Sequence, residues 1–356
     1  MKSNPTKLRV YVCHTYYHVY VSFLKEMNLP KEQWGQADLI LSTMTTSFEN
    51  IRQRIQNSGI FREVILFDEK KDVFFPQLAP YMNMQGNQIK IMLGRMKYTK
   101  LFGQLEEAYV PVDFKEYKDI YVYCDSDPIG FYLNYKKIYY HAVEDGLNTL
   151  KYCDSARFRN QKFFKLKAFL SSLNLLFIQN GYGKYCIDME VNDISCLKYK
   201  HKKYVEVPRQ KLVDKLTKEQ KQILLEVFIE NIGQLNQLIA QGKMILVLTE
   251  PLCDMETRKT IFQDIVAEYE KEGEIVFKPH PNDLLEYSAI FPENIVIDRK
   301  VPMEMMNFIP GLMFEKVVAV FTEISGIAFA KEKVRLGSDF MDKYEDPAIH
   351  RYNDNI

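Results

Sequence analysis

Short apolar runs alternate along the chain with stretches whose apolar residues recur at helical spacing. Residues 8–13 predict a first strand, His14-Thr15-Tyr16-Tyr17-His18 a turn, and the apolar-periodic run through Phe23 and Leu24 a helix. The pattern continues with strands at 37–41 and 63–67, a helix over 47–57 that Ser47 can cap, a helix over 88–108 in which apolar and basic residues alternate, and strands at 119–124 and 138–143. Periodicity then fades. Lys198, Lys200, Lys202 and Lys203 crowd together, and 191–214 reads as a linker. A long helix follows over 218–239, capped by Thr217 and stopped by Gly242. Beyond it the alternation restarts, with strands at 244–248, 274–277, 294–297 and 317–321 and a helix over 255–271. Strands alternating with helices specify parallel sheets covered on both faces. The expected class is α/β, with two Rossmann-like domains facing a cleft. The expected division is 1–195 for the first domain, 212–335 for the second, and a tail over 336–356 that crosses back to the first.

Composition narrows the function. The chain has 356 residues, 47% apolar and 26% charged, enough for two full cores. Lys plus Arg and Asp plus Glu both number 47, so no global basic field argues for nucleic acid. Tyr and Phe each number 23, and aromatic-lined clefts suit sugars, although a large core accounts for them as well. Residues 1–8 are polar, so no signal peptide is expected, and no run reaches the roughly 18 apolar residues of a membrane span. The six cysteines form no CxxC pair, which fits reduced thiols in the cytoplasm. Over 158–178 and its entry, Arg157, Arg159, Lys162, Lys165 and Lys167 interleave with phenylalanines and leucines. That stretch is either a basic amphipathic helix lying on the inner face of an anionic membrane or a surface helix with its lysines over the core. Neither GxGxxG nor a Walker A pattern is present, which argues against dinucleotide and P-loop enzymes.

Several strand exits carry chemistry. The apolar run from Ile275 ends in Lys278-Pro279-His280-Pro281-Asn282-Asp283. Two prolines stiffen the loop around His280, and Asn282 or Asp283 can cap a following helix. Glu144-Asp145-Gly146 closes the strand at 138–143, and in a partly dry cleft one of two adjacent acids can serve as a general base. A solvated acidic turn is the plainer alternative. Pro302-Met303-Glu304 places a carboxylate where a ribose diol could be held, although acids also favour first helical turns. Thr322 and Ser325 precede a small-residue stretch read as a helix, whose N-terminus would make an anion site. Asp125-Ser126-Asp127 could share a hard cation between two carboxylates, but Pro128 follows at once and a loop is favoured.

In order and spacing these motifs resemble the bacterial sialyltransferases of the GT-B fold, the lipooligosaccharide and capsule enzymes of glycosyltransferase family 52. The motifs are Glu144-Asp145-Gly146, His280-Pro281, Pro302-Met303-Glu304 and Thr322/Ser325. Leu-Val-Leu-Thr249-Glu-Pro resembles the segment opening that family's second domain, and His14 to His18 its first strand-to-helix turn. One departure is Gly326, where the family usually has a second hydroxyl residue. The resemblance implies an inverting transfer of sialic acid from CMP-sialic acid to a terminal sugar hydroxyl, with galactose the expected acceptor, on a bacterial surface glycan. Asp145 would be the base and His280 the partner of the departing phosphate. Pro281, Glu304, Thr322, Ser325 and Thr249 would bind the donor, and Glu144, His14 and Tyr17 would lie on the acceptor side. Glu144 would raise the pKa of Asp145. No cofactor or metal is required on this reading. The alternatives are a GT-B enzyme using a UDP-sugar and a metal-dependent transferase built on Asp125 and Asp127.

Overall fold

The computed structural model describes residues 6–230 and 243–351. The chain divides into two compact units, Met1–Gln220 and Lys221–Ile356. In the first unit, seven strands run β1 (Lys7–Cys13), β2 (Ala37–Ser42), β3 (Glu63–Phe67), β4 (Tyr117–Tyr123), β5 (Tyr140–Val143), β6 (Cys186–Val191) and β7 (Tyr204–Glu206). Their order in the sheet is β3-β2-β1-β4-β5-β6-β7, and every pairing is parallel. β2 is buried along its whole length, because helices cover both faces of a parallel sheet. The order reverses between β1 and β4. At such a switch point the loops leaving the strand ends diverge, which opens a crevice at the carboxyl edge.

The first helix, α1 (Tyr16–Met27), begins where Thr15 accepts the His18 N–H at 3.2 Å. A buried ion pair locks it to β1. Arg9 Nε meets Glu26 Oε1 at 2.8 Å, Arg9 Nη2 meets Glu26 Oε2 at 3.0 Å, and the Tyr11 hydroxyl donates to the same carboxylate at 2.7 Å. Helix α2 (Glu49–Asn57) starts later than expected. Phe48, not Ser47, takes the cap position, because its fully buried ring fixes the chain there. The short α3 (Ala79–Met82) leads into α4 (Gln88–Glu106), which packs on α5 (Pro128–Lys136).

The expected linker at 191–214 is instead part of the first unit. β7 adds to β6 as a parallel edge strand, and a helix follows over Arg209–Asp214. Three residues with two side chains exposed are too short to show a period. The segment 158–178 is also not one helix. A turn of helix at Ser155–Phe158 precedes a helix over Phe164–Ser172.

The second unit holds β8 (Met244–Leu248), β9 (Glu274–Lys278), β10 (Ile295–Val296), β11 (Phe314–Ala319) and β12 (Ala330–Arg335), in the parallel order β10-β9-β8-β11-β12. Its switch point lies between β8 and β11. β12 occupies the place where a helix was expected after Ser325. It is an edge strand with alternating charges, Lys-Glu-Lys, and lacks the apolar run that marks the central strands. The helix from Lys218 opens with a reciprocal cap, in which Gln220 N–H donates to Thr217 Oγ1 at 3.3 Å and Thr217 N–H to Gln220 Oε1 at 2.7 Å. It ends at Phe228, and Ile229 and Glu230 are not helical, short of the expected end at Ile239; the rest of that stretch and the expected stop at Gly242 lie outside the described residues. The C-terminal segment packs on its own unit: Phe340 and Met341 join the core of Ile261, Phe262 and Phe277, and the Tyr344 hydroxyl donates to Asp264 at 2.7 Å. Residues 352–356, the end of the expected return crossing, lie outside the described residues. Among the described residues no helix is long and apolar enough to cross a membrane, and all six cysteines are free thiols.

Removing one partner of the buried Arg9–Glu26 pair leaves an uncompensated charge under α1. Glu26→Ala is expected to lower the unfolding free energy by about 3–5 kcal/mol, read from urea denaturation.

Candidate active site

At the carboxyl edge of the first sheet, β1 ends at Cys13 and the chain turns into α1. The His14 backbone N–H donates to His18 Nδ1 at 3.0 Å, so the proton of the neutral His18 ring sits on Nε2. That nitrogen meets Asp145 Oδ1 at 2.8 Å. The ring is buried and stacks on Tyr123 at 4.5 Å between centroids, and burial pushes its pKa down, so it donates as a neutral group. Cys124 Sγ, at the end of β4, donates to the same oxygen at 2.7 Å. The His18 hydrogen bond holds the Asp145 carboxyl down at about 2, against a smaller opposing effect of burial. The Asp145 side chain is 51% exposed, and its Oδ2 has no hydrogen-bond partner among the described residues. An ionised oxygen is thus held at the exit of β5.

The expectation that Glu144 raises this pKa is overturned. Glu144 is buried and faces the backbone, accepting the Leu150 N–H at 3.0 Å and the Asn192 N–H at 2.9 Å. The hydrogen bond from His18 outweighs any repulsion from it. Glu144 ties down the loop that carries Asp145.

His14 is buried beside this centre. Its Nε2 lies 2.8 Å from Glu69 Oε2 and 3.5 Å from Asp127 Oδ2, and its Nδ1 is buried without a partner. Burial disfavours the charged ring, but the charge and hydrogen bond of Glu69 together with the charges of Asp127 and Asp145 raise the His14 pKa. Glu69 also accepts the Ser42 hydroxyl at 2.6 Å and the Ile129 N–H at 2.8 Å. Tyr17 is half-buried on α1 beside Tyr20. Asp125 is buried, with one oxygen on the Tyr140 hydroxyl and the other on the Asn180 N–H, both at 3.0 Å. Asp127 stands at the start of α5, ahead of Pro128. Burial pushes both carboxyls up to about 6. A cation shared between them would compete with the two hydrogen bonds that Asp125 accepts. A cavity of ≈ 70 Å³ lies against Cys124, Asp125, Ser126, Glu144, Asp145 and Asn180.

In the second unit, Asp283 is the fixed point, not a helix cap. Fully buried, it accepts the Thr249 hydroxyl at 2.6 Å, the Tyr287 hydroxyl at 2.7 Å and Arg258 Nη1 at 2.7 Å. Thr249 in turn accepts the His280 N–H at 3.3 Å, so it holds the backbone of the Pro-His-Pro loop. His280 Nδ1 accepts the Asn282 N–H at 3.1 Å, which leaves the proton on Nε2. Burial and the neighbouring Lys278 push its pKa down. The exposed ring is therefore a neutral N–H donor. Pro281 beside it is exposed. Lys278 is buried, donates to the Pro279 and Arg299 carbonyls at 3.1 Å, and is pushed down to about 8 by burial. Glu304, on the 3-10 helix Met303–Phe308, is half-buried; burial raises its pKa while the charge of Lys278 works against the rise.

The expected helical anion site after Thr322 is not formed. No helix follows β11, and Glu250 Oε1 accepts the N–H groups of Val320, Phe321 and Thr322 at 3.1, 2.9 and 2.8 Å. Those backbone donors already hold an internal carboxylate. Thr322 is half-buried and Ser325 is exposed in a turn. His18, Cys124, Glu69, Glu250 and Lys278 were not among the expected site residues. The His14–His18 spacing at a helix start and the lysine ending an apolar strand are signals for two of them. Glu69 and Glu250 carry no local signal, because their partners come from distant loops.

The two Rossmann-like units and their sheet orders define a GT-B glycosyltransferase fold. Solved structures with this fold include an α/β-galactoside α-2,3-sialyltransferase of Photobacterium phosphoreum (TM-score 0.52, 12% identity, 92% of this chain and 90% of that one). They also include a 2,6-sialyltransferase of Photobacterium sp. JT-ISH-224, solved with CMP and lactose (TM-score 0.53, 10% identity, 92% and 71%). The glycosyltransferase family 52 model matches residues 44–335, and the chain belongs to that family. An uncharacterized protein of Haemophilus influenzae is 27% identical over 204 residues, which span 56% of this chain and 62% of that protein.

The Asp145 dyad has a direct signature. Carboxyl carbon NMR should show Asp145 still ionised at pH 3, titrating near 2. In His18→Phe the value should return towards about 4, the ordinary Asp range. A carboxyl depressed in this way stabilises the fold above its unfolded pKa, and that contribution is lost as pH falls from about 4 towards 2.

Proposed function

We propose that this protein is an inverting sialyltransferase. It moves a sialic acid from CMP-sialic acid to a terminal sugar hydroxyl, expected to be that of galactose, on a bacterial surface glycan. The observation that carries the reading is Asp145, an ionised carboxylate with one oxygen fixed by His18 and the other open at the exit of β5. Family membership and the shared fold support it. The relative solved with CMP and lactose supports CMP as the leaving nucleotide and a galactose-bearing acceptor.

In the reaction, the acceptor hydroxyl donates to Asp145 Oδ2. Its oxygen attacks the anomeric carbon of the sialyl group from the face opposite the phosphate, the bond to CMP breaks, and the proton passes to Asp145. One displacement inverts the centre, so no covalent nucleophile is required. A carboxylate with so low a pKa is a weak base, and it suits a transition state that builds positive charge before the proton moves. Its charge stabilises the oxocarbenium-like centre and the proton follows late. His14, held by Glu69, and Tyr17 lie on the acceptor side. His280 Nε2–H donates to the departing phosphate oxygen, assisted by the Thr322 and Ser325 hydroxyls. Pro281 stiffens that loop, Thr249 holds it, and Glu304 takes the ribose hydroxyls. CMP leaves as a phosphate monoester, with less charge to neutralise than a diphosphate, so no metal or other cofactor is needed. The cytoplasm is the compartment this reading requires, with the acceptor presented at the inner membrane face. Nucleic acid has no part in it.

A thermal-shift titration with CMP, CDP, UDP and GDP, with and without EDTA, tests the donor. CMP alone is expected to raise the melting temperature, by mass action, and EDTA to leave that rise unchanged. Stabilisation by UDP or GDP would overturn the donor, and EDTA sensitivity would return Asp125 and Asp127 to the centre as metal ligands.

Asp145→Asn is expected to lower kcat by about 10²–10⁴-fold and to leave the CMP-induced shift intact. His280→Ala is expected to reduce both turnover and that shift. An Asp145→Asn enzyme with wild-type kcat would remove the base from this mechanism.

A further inference from the structure

Lys278 and Arg299 stand at the carboxyl edge of the second sheet and take no part in the chemistry above. Lys278 ends β9 and is buried. A buried ammonium must be met by acceptors. Its Nζ donates to the Pro279 carbonyl and, across the edge, to the Arg299 carbonyl, both at 3.1 Å. Arg299 lies in the loop that leaves β10, the parallel neighbour of β9, and the Ile297 N–H continues that pairing onto the Phe277 carbonyl at 2.8 Å. Its guanidinium makes the return contact. Nη1 donates to the Asp283 carbonyl at 2.9 Å, and Nη2 to Glu286 Oε1 at 3.4 Å.

The two contacts run in opposite directions. A side chain from the end of β9 holds the backbone of the β10 loop, and a side chain of the β10 loop holds the backbone of the β9 loop. On the first side the carbonyls held are those of Pro279 and Asp283, which bracket His280, and the Asp283 N–H closes that loop onto the His280 carbonyl at 2.9 Å. On the other side short turns tie Arg299 forward to Glu304. The Lys300 N–H donates to Asp298 Oδ1 at 2.8 Å, the Val301 N–H to the Asp298 carbonyl at 3.1 Å, and the Met305 N–H to the Pro302 carbonyl at 3.0 Å. The charge of Lys278 reaches both ends, lowering the pKa of His280 and opposing the rise at Glu304. An apolar side chain at that strand end would fill the same space without the desolvation cost, so stability alone does not account for the lysine.

We propose that Lys278 and Arg299 form a reciprocal clasp that fixes the spacing of His280 and Glu304, so that one nucleotide meets its phosphate and ribose partners at once. Both are positioning residues and act through the two loops they join. The proposal rests on the donor-binding roles given above to His280 and Glu304. Two contacts to one ligand reinforce each other only when their spacing is held, because the second is then made at a high effective concentration. The clasp therefore acts on the whole nucleotide and hardly at all on its separate parts.

The test compares the affinities of CMP and of cytidine, which keeps the ribose but lacks the phosphate, by ligand-observed NMR titration of the full chain. Wild type, R299M, K278M and the double variant are measured. R299M is expected to weaken CMP about tenfold or more and to leave cytidine within about twofold of wild type. The Arg299 side chain is 36% exposed, so R299M should keep the wild-type circular dichroism and serves even where K278M fails to fold. Because the clasp needs both contacts, the double variant should lose little more CMP affinity than either single variant, whereas two unrelated loop contacts would add. Wild-type CMP affinity in R299M, equal losses of CMP and cytidine, or additive losses would each overturn the clasp. A wild type that ignores CMP but binds UDP refutes the donor alone, and the same ratio is then read with UDP and uridine. Binding of neither nucleotide refutes the donor site and the clasp together.

Discussion

A carboxylate taken out of water must be met by donors, and that requirement organises the carboxyl edge of both sheets. Glu69 gathers the ends of β1 and β2 and the start of α5 through His14, Ser42 and the Ile129 N–H. Glu144 ties the exit of β5 to the backbone beyond β6. Asp283 joins the exits of β8 and β9 to the helix carrying Arg258, and Glu250 joins the exit of β8 to that of β11. Parallel strands deliver all these loops to one edge, and the buried acids fix their positions there. Asp145 differs from its neighbour Glu144: one of its oxygens is fixed by His18 and Cys124, while its side chain stays half exposed.

The two exposed-edge histidine systems share a device. His18 and His280 each accept a backbone N–H on Nδ1, which settles the tautomer, and burial lowers the pKa of each. Both are therefore neutral donors through Nε2. In the first unit the donor points at Asp145 and keeps it anionic. In the second it is available to a ligand.

How far the sequence could be read follows from range. The central strands β1, β2, β8 and β9 lie within a residue or so of their expected bounds, because a strand buried on both faces leaves a continuous apolar run, and the edge strand β3 was found as well because Val64 to Phe67 are all apolar. The interior strand β6 and the edge strands β7 and β12 escaped, since partial exposure admits charge and erases that run. β12 was read as a helix because Ile327-Ala-Phe-Ala carries no β signal of its own. Among the candidate residues, Asp145 and His280 stand out by local punctuation, an acidic pair before glycine and a histidine between prolines. The partners that give them their properties were not. His18 lies 127 positions from Asp145 in the chain, and no short window contains both.

The internal occupant of the backbone nest after β11 bears on what the second unit can hold. Three successive N–H groups, from Val320 to Thr322, converge on one oxygen of Glu250. In many nucleotide sites such a nest cradles a phosphate. Here a phosphate approaching it would meet a carboxylate, and repulsion between the two anions would oppose a diphosphate most. Side-chain donors at this edge include the His280 Nε2–H, the hydroxyls of Thr322 and Ser325, and Lys333, whose Nζ donates to the Ser325 carbonyl at 2.6 Å. The contact that rules out a helix-terminus anion site thus leaves any anion at this edge to side chains, not to the backbone nest.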